Sequence, residues 1–187
     1  SRKDTQPIKQ AGEYLVAAEL ARLGLICATF SGNVRHYDIV ASGPAGGHVA
    51  VQVKAKASGS WQLSLDAFAD IRMKGDKQVL GRSRPEPFKG LVVVFVALGK
   101  EYGSDEFFVV PWRNLQNIVI GGHRDYLARH GGCRPRSPRS LHTAVNVNQL
   151  SAYRANWDPI RRLMGMLPNQ RLKLAARVDY GIEFCLT

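Results

Sequence analysis

His36-Tyr37-Asp38-Ile39-Val40 and Val51-Gln52-Val53-Lys54-Ala55 are two apolar stretches, each carrying polar residues where an ordinary buried strand has none. The second lies within residues 48–56, which alternate strictly. Val49, Val51, Val53 and Ala55 point one way, and Ala50, Gln52, Lys54 and Lys56 the other. Residues 43–47, Gly-Pro-Ala-Gly-Gly, supply a tight connection between the stretches, so they pair as a hairpin. Asp38 then neighbours Gln52 and Lys54. Mg²⁺ takes hard oxygen ligands and keeps several waters. Asp38 offers a carboxylate oxygen, Gln52 an amide oxygen and Val53 its backbone carbonyl. Lys54 stands beside them, where it can orient a water and offset phosphate charge. Metal-assisted phosphodiester hydrolysis needs these parts.

Outward from this hairpin, residues 8–23 read as a helix, with Val16, Leu20 and Leu23 at helical spacing and Gly24 as the stop. Residues 25–30 read as a strand and Ser31-Gly32-Asn33 as a turn. A short strand fits 61–65, and a helix fits within the mixed segment 67–80. The unbroken apolar run at 91–98 predicts a central strand. Another strand is expected at 107–110. Residues 112–130 predict a helix with Gly121-Gly122 as a weak point, and 148–164 a last helical segment interrupted at Pro159. The order predicts an α/β fold, a sheet with helices against it.

The chain has 187 residues, enough for a real core without disulfides. No run of about 18 apolar residues is present, so no membrane-spanning helix is expected. The first residues, Ser1-Arg2-Lys3-Asp4, lack the apolar segment of a signal peptide. Cys27, Cys133 and Cys185 are widely spaced and form no CxxC pair, which fits free thiols in a reducing cytoplasm. The net charge is +11, and residues 121–177 hold eleven Lys/Arg against two Asp/Glu. Such a patch favours polyanions, nucleic acid first among them. Within it, residues 131–140 (GGCRPRSPRS) form a Pro-rich loop carrying Arg134, Arg136 and Arg139, expected on a phosphate backbone.

The Asp38 and Gln52-x-Lys54 pattern resembles the PD-(D/E)XK nuclease superfamily, nearest to its Holliday-junction-resolvase-like and Mrr-type branches. The resemblance is carried by residues 12–54. It implies a restriction-endonuclease-like αβββαβ core: a central mixed β-sheet flanked by helices. It also implies an acidic residue on the first helix, where Glu13 stands, sharing a face with Val16, Ala17 and Leu20. The implied catalytic set is Lys54, Asp38, Gln52 and Glu13. The implied ligands for Mg²⁺ or Mn²⁺ are Asp38, Gln52, the Val53 carbonyl and Glu13. Tyr37 stands where the family often has Pro, and Gln52 where it usually has Asp or Glu.

Each residue also has a plainer reading. Asp38 alone would be a strand-end cap, Lys54 a snorkelling surface lysine, and Glu13 a charge favoured by the helix dipole. Lys56 and Asn33 are placed to meet phosphate, and Gln78 to meet substrate from a helix. Trp61, Trp112 and Trp157 are expected in the core. The five histidines show no shared metal spacing.

The expected boundaries are a nuclease-like domain over 1–130, a basic loop and helical segment over 131–166 packed on or beside it, and a tail over 167–187. The expected partner is DNA, with no membrane. Two-strand cutting by paired copies makes a homodimer a further expectation, by analogy alone. The expected activity is metal-dependent hydrolysis of DNA phosphodiester bonds. The alternative is a nuclease fold, weak or inactive, that only binds nucleic acid.

Overall fold

The structure is a computed structural model and describes residues 5–30, 34–101 and 103–166. Asn33 and the expected tail over 167–187 lie outside the described residues. In chain order the elements are α1 (Gln6–Arg22), β1 (Ile26–Thr29), β2 (Ile39–Ser42), β3 (His48–Lys56), β4 (Trp61–Ser64), β5 (Ala69–Lys74), β6 (Lys77–Ser83), β7 (Val92–Ala97), β8 (Glu106–Pro111), α2 (Trp112–Arg129), β9 (His142–Val145) and α3 (Asp158–Leu163). Short 3-10 segments fall at Leu65–Ala67 and Asn148–Tyr153.

Five strands form a mixed sheet in the order β1-β2-β3-β7-β8, with β3 and β7 parallel and the other pairs antiparallel. The run Val92-Val93-Val94-Phe95-Val96 is buried throughout because β7 has neighbours on both edges and apolar layers on both faces. One layer is built from Val16, Leu20, Ile39, Val51, Val53, Val94 and Ile160, which places α1 and α3 on that face. The other is built from Trp61, Leu65, Phe95, Phe108, Leu115, Val119 and Leu150, which places α2 and β4 opposite. Phe95 and Phe108 are fully buried, and truncating either ring to alanine would cost roughly 3–5 kcal/mol.

Local signals account for α1. Pro7 sits in its first turn, where a missing N–H costs nothing. At the far end Gly24 takes φ +83, its N–H reaches the Ala21 carbonyl, and the Leu25 N–H reaches the Leu20 carbonyl. That is a Schellman ending, with Leu20 and Leu25 in the same apolar layer. Gly12 lets the helix lie directly on β3: a Cβ there would stand 2.4 Å from the Ala55 Cβ.

Several expected elements differ in detail. The segment 67–80 is the β5–β6 hairpin around Gly75, not a helix. The connection from β3 to β7 therefore carries β4, a 3-10 turn and this hairpin, and the second long helix follows β8. Helix α2 runs unbroken through Gly121 and Gly122, because Val119, His123 and Leu127 bury its inner face. Residues 131–166 pack on the rest of the molecule. There β9 pairs with β4, and Ile160 and Met164 enter the α1 layer. Trp61, Trp112 and Trp157 are all buried. Among the described residues no helix is long and apolar enough to cross a membrane.

Gln78 also differs from expectation. It lies on β6, not on a helix, and is nearly fully buried. Its amide nitrogen donates to the carbonyls of Pro138 and Ser140, and its oxygen meets Nε2 of His123 at 2.9 Å. The basic loop 131–140 is thereby fastened to β6 and α2. Burial, then the nearby Arg134, lowers the His123 pKa. The imidazole is then neutral, and Nε2–H is the donor to Gln78.

Candidate active site

Asp38 sits one residue before β2, at the point where β2 and β3 separate. His36, in the left-handed region at φ +76, turns the chain toward it. Tyr37 is held edge-on between Phe30 and Phe88, at 5.5 and 5.4 Å between ring centroids. The Asp38 N–H donates to the Val51 carbonyl at 2.9 Å, which continues the β2–β3 ladder by one more bond. At the next rung the side chain replaces the strand. The Val53 N–H donates to Asp38 Oδ2 at 2.8 Å. A strand residue turns its N–H and C=O toward the same edge. The Val53 carbonyl therefore faces the notch that Asp38 occupies.

Glu13 reaches this notch from α1. It stands about two turns into the helix, beyond the first turn where a dipole effect would act. Its position follows from the close Gly12–Ala55 approach, which seats α1 on the end of β3. Lys9, one turn earlier, links the two acids. Its Nζ lies 3.5 Å from Glu13 Oε1 and 3.6 Å from Asp38 Oδ1. Both carboxylates are mostly shielded, at 12% and 16% side-chain exposure, whereas Lys9 is 45% exposed. The two acids thus converge on one cation that solvent can reach. Sequence reasoning missed Lys9, although its i,i+4 spacing to Glu13 is a legible pairing signal.

Lys54 lines the same cleft as Lys9, Val53 and Lys56, a depression of about 320 Å³. Burial lowers its pKa; the Asp38 carboxylate opposes that shift and the Lys9 ammonium adds to it. Gln52 lies two residues earlier on the same face of β3, half-buried, and no described residue hydrogen-bonds its amide. The structure thus gathers Asp38, Glu13, Lys54 and the Val53 carbonyl at one place, with Gln52 adjacent along β3. Among the described residues no three His, Cys, Asp or Glu side chains cluster as a metal site. An ion at the notch would rest on two carboxylates and neutral oxygens, a donor set suited to Mg²⁺ or Mn²⁺ that keeps waters.

A bacterial homing endonuclease, I-Ssp6803I, superposes over 85% of this chain and 94% of its own, with TM-score 0.42 and 15% identity. At that score the likeness carries no argument about this chain. No family model matches, and no curated protein does.

The residues expected to meet phosphate fare unequally. Lys56 is half-buried and held locally: its Nζ lies 3.9 Å from the centre of the Trp61 ring and donates to the Gly59 carbonyl. Arg134 donates to the His142 carbonyl and lies over Tyr126, so it also holds its own loop to β9. Arg136 and Arg139 are exposed on that loop.

Proposed function

We propose that this protein is a metal-dependent endonuclease that hydrolyses DNA phosphodiester bonds at the Asp38–Glu13–Lys54 notch, in the manner of PD-(D/E)XK nucleases. The observation that carries the reading is the convergence of Glu13 and Asp38, from a helix and a strand end, on one cation beside Lys54. A lysine ammonium fills that place, and a divalent ion would compete for it. Asp38, Glu13, the Val53 carbonyl and Gln52 would hold Mg²⁺ or Mn²⁺, which supplies Lewis-acid polarisation of the phosphate.

The chain's own groups do the rest. Asp38 is held in place by the Val53 N–H, so its other oxygen, which pairs with Lys9, stays aimed into the notch. Lys54, made less basic by burial, holds a water near the phosphorus and accepts its proton. Attack by that water forms one P–O bond and breaks the bond to the leaving strand, whose alkoxide takes a proton from solvent water and departs as a hydroxyl. The basic residues of 131–140 hold the phosphate backbone.

The test is incubation with plasmid, branched and single-stranded DNA in Mg²⁺, Mn²⁺ or EDTA. Nicking is expected only with metal and is abolished by Lys54→Ala, with DNA binding largely retained. Absence of metal-dependent nicking, or wild-type rates in Lys54→Ala, overturns the reading.

The neutral Gln52 favours a second reading, a nuclease fold kept for binding. Gln52→Glu distinguishes the two by adding a carboxylate beside the ion, which should tighten divalent binding. If wild type is inert and the variant gains metal-dependent cleavage, the binding-only reading stands. If both cleave, the enzyme reading stands.

A further inference from the structure

The catalytic cleft does not end at Lys54. It is bordered by Gln62, which also lines a second cleft of about 510 Å³ with Arg134, Arg136 and His142. Between the lysines and the arginines lies the β4–β9 ribbon. Trp61, Leu63 and Val145 point into the core, while Gln62 and Ser64 face outward. Across the ribbon Gln62 pairs with Ala144, and Ser64 with His142, and both β9 partners are exposed. The outer face therefore carries Gln62, Ser64, His142 and Ala144, without a charged side chain among them. Ala144 leaves the Gln62 amide unobstructed, whereas the Ser64 hydroxyl is taken up by Asp66.

The dimensions suit one occupant. Four residues span about 13 Å along a strand, and two strands lie about 4.8 Å apart. The major groove of B-DNA is about 12 Å wide and admits a two-stranded ribbon. The Asp38 notch, where the scissile phosphate would sit, at one end and the exposed Arg136 at the other fall where the phosphate ridges on either side of a groove would run. The protein offers polar, hydrogen-bonding side chains where base edges would lie and cations where phosphates would lie.

We propose that the β4–β9 ribbon enters the major groove of duplex DNA beside the scissile phosphate, where Gln62 and His142 read base edges and give the cleavage a sequence preference. This rests on the nuclease reading of the Asp38 notch. Gln62 has the donor and acceptor needed for a bidentate contact to adenine N6 and N7. His142, with one ring donor when neutral and two when charged, suits guanine or adenine N7. Arg136 anchors the adjacent backbone.

The test is selection from a randomised duplex library in EDTA, comparing wild type with Gln62→Ala and His142→Ala. Both side chains point outward, and the His142 backbone contact to Arg134 survives truncation, so the fold is kept. Wild type should enrich a short motif. Each variant should lose about tenfold discrimination at one or two adjacent base pairs. The salt dependence should not change, because no phosphate contact is removed. Duplexes with 7-deazapurines in the motif, which lack the N7 acceptors, should cost wild type more affinity than either variant, because each variant keeps one of the two N7 contacts.

No enriched motif, an unchanged motif in both variants, or preferential retention of single strands overturns the assignment. Binding is scored in EDTA and nicking in Mn²⁺, so the two readings fail separately. A protein that enriches a motif but never nicks keeps the ribbon assignment and loses the nuclease one. A protein that nicks but enriches nothing does the reverse.

Discussion

The Val53 N–H donates to the Asp38 carboxylate at 2.8 Å, so a side chain closes the last rung of the β2–β3 ladder. Asp38 therefore has a structural task as well as an expected metal-binding one, and two substitutions separate them. Asp38→Ala leaves a buried N–H unpaired and should cost about 1–3 kcal/mol in urea denaturation with EDTA present. Asp38→Asn keeps an acceptor oxygen and should cost less than about 1 kcal/mol. Both should lose Mn²⁺ binding in calorimetric titration, since the carboxylate is gone. Equal stability of the two variants would deny the Val53 bond its role; unchanged Mn²⁺ affinity would remove Asp38 from the site.

The lowered pKa of Lys54 makes a pH prediction with a definite sign. Burial is the main cause, and Lys9 lowers it further. The folded protein gives up this proton at a lower pH than the unfolded chain does. The cost of burying the ammonium is thus fully present below the folded pKa and fades as pH rises toward the unfolded value. Cleavage should rise with pH over the same range, because only the neutral amine accepts a proton. Lys9→Ala removes the cation that lowers Lys54, so the rise should move to higher pH. It also frees Glu13 and Asp38, and divalent affinity should tighten by roughly the few-fold worth of an exposed ion pair. A rate profile that stays in place in Lys9→Ala would sever Lys54 from the reaction.

Gly12→Ala would ordinarily strengthen a helix by about 1 kcal/mol. Here the added Cβ would lie 2.4 Å from the Ala55 Cβ, and α1 must move off β3. Overpacking of this kind costs about 1–3 kcal/mol and should outweigh the propensity gain. The same shift carries Glu13 and Lys9 away from Asp38. Cleavage should fall more than stability, as judged by nicking assays at a temperature where the variant stays folded. A stabilised, fully active variant would show that α1 tolerates the extra atom.

Arg136 and Arg139 stand free on the basic loop, whereas Arg134 is tied to His142 and Tyr126. Replacing Arg136 and Arg139 with Ala should flatten the log–log salt dependence of duplex binding by up to roughly two units, at about 0.9 per phosphate. An unaltered slope would show that the loop does not touch the backbone.

What the sequence disclosed follows from the range of the interactions involved. The alternation of Val49 to Lys56, the Gly24 stop of α1 and the apolar run of β7 are local patterns, and all are realised in the structure. The grouping of Asp38 with Lys54 was legible because one short hairpin links them. Lys9 was missed because its second partner, Asp38, is remote in sequence. Strand β9 was hidden because four residues with no pattern of their own become a strand only by pairing with β4. Gln78 was misplaced on a helix because charged residues disguise the alternation of β6, and its burial depends on His123 and the 131–140 loop.

If the chain binds DNA as proposed, the Gln78 clamp bears on the thermodynamics of that association. Two carbonyls of the basic loop are fixed to a buried amide, so the arginines ride on an already ordered segment. An unfastened arm would lose conformational entropy and bury apolar surface as it folded onto DNA, with a large negative heat capacity change. A fastened loop loses little of either. Docking on DNA would then draw its favourable entropy from released counterions, and its enthalpy should vary only slightly with temperature.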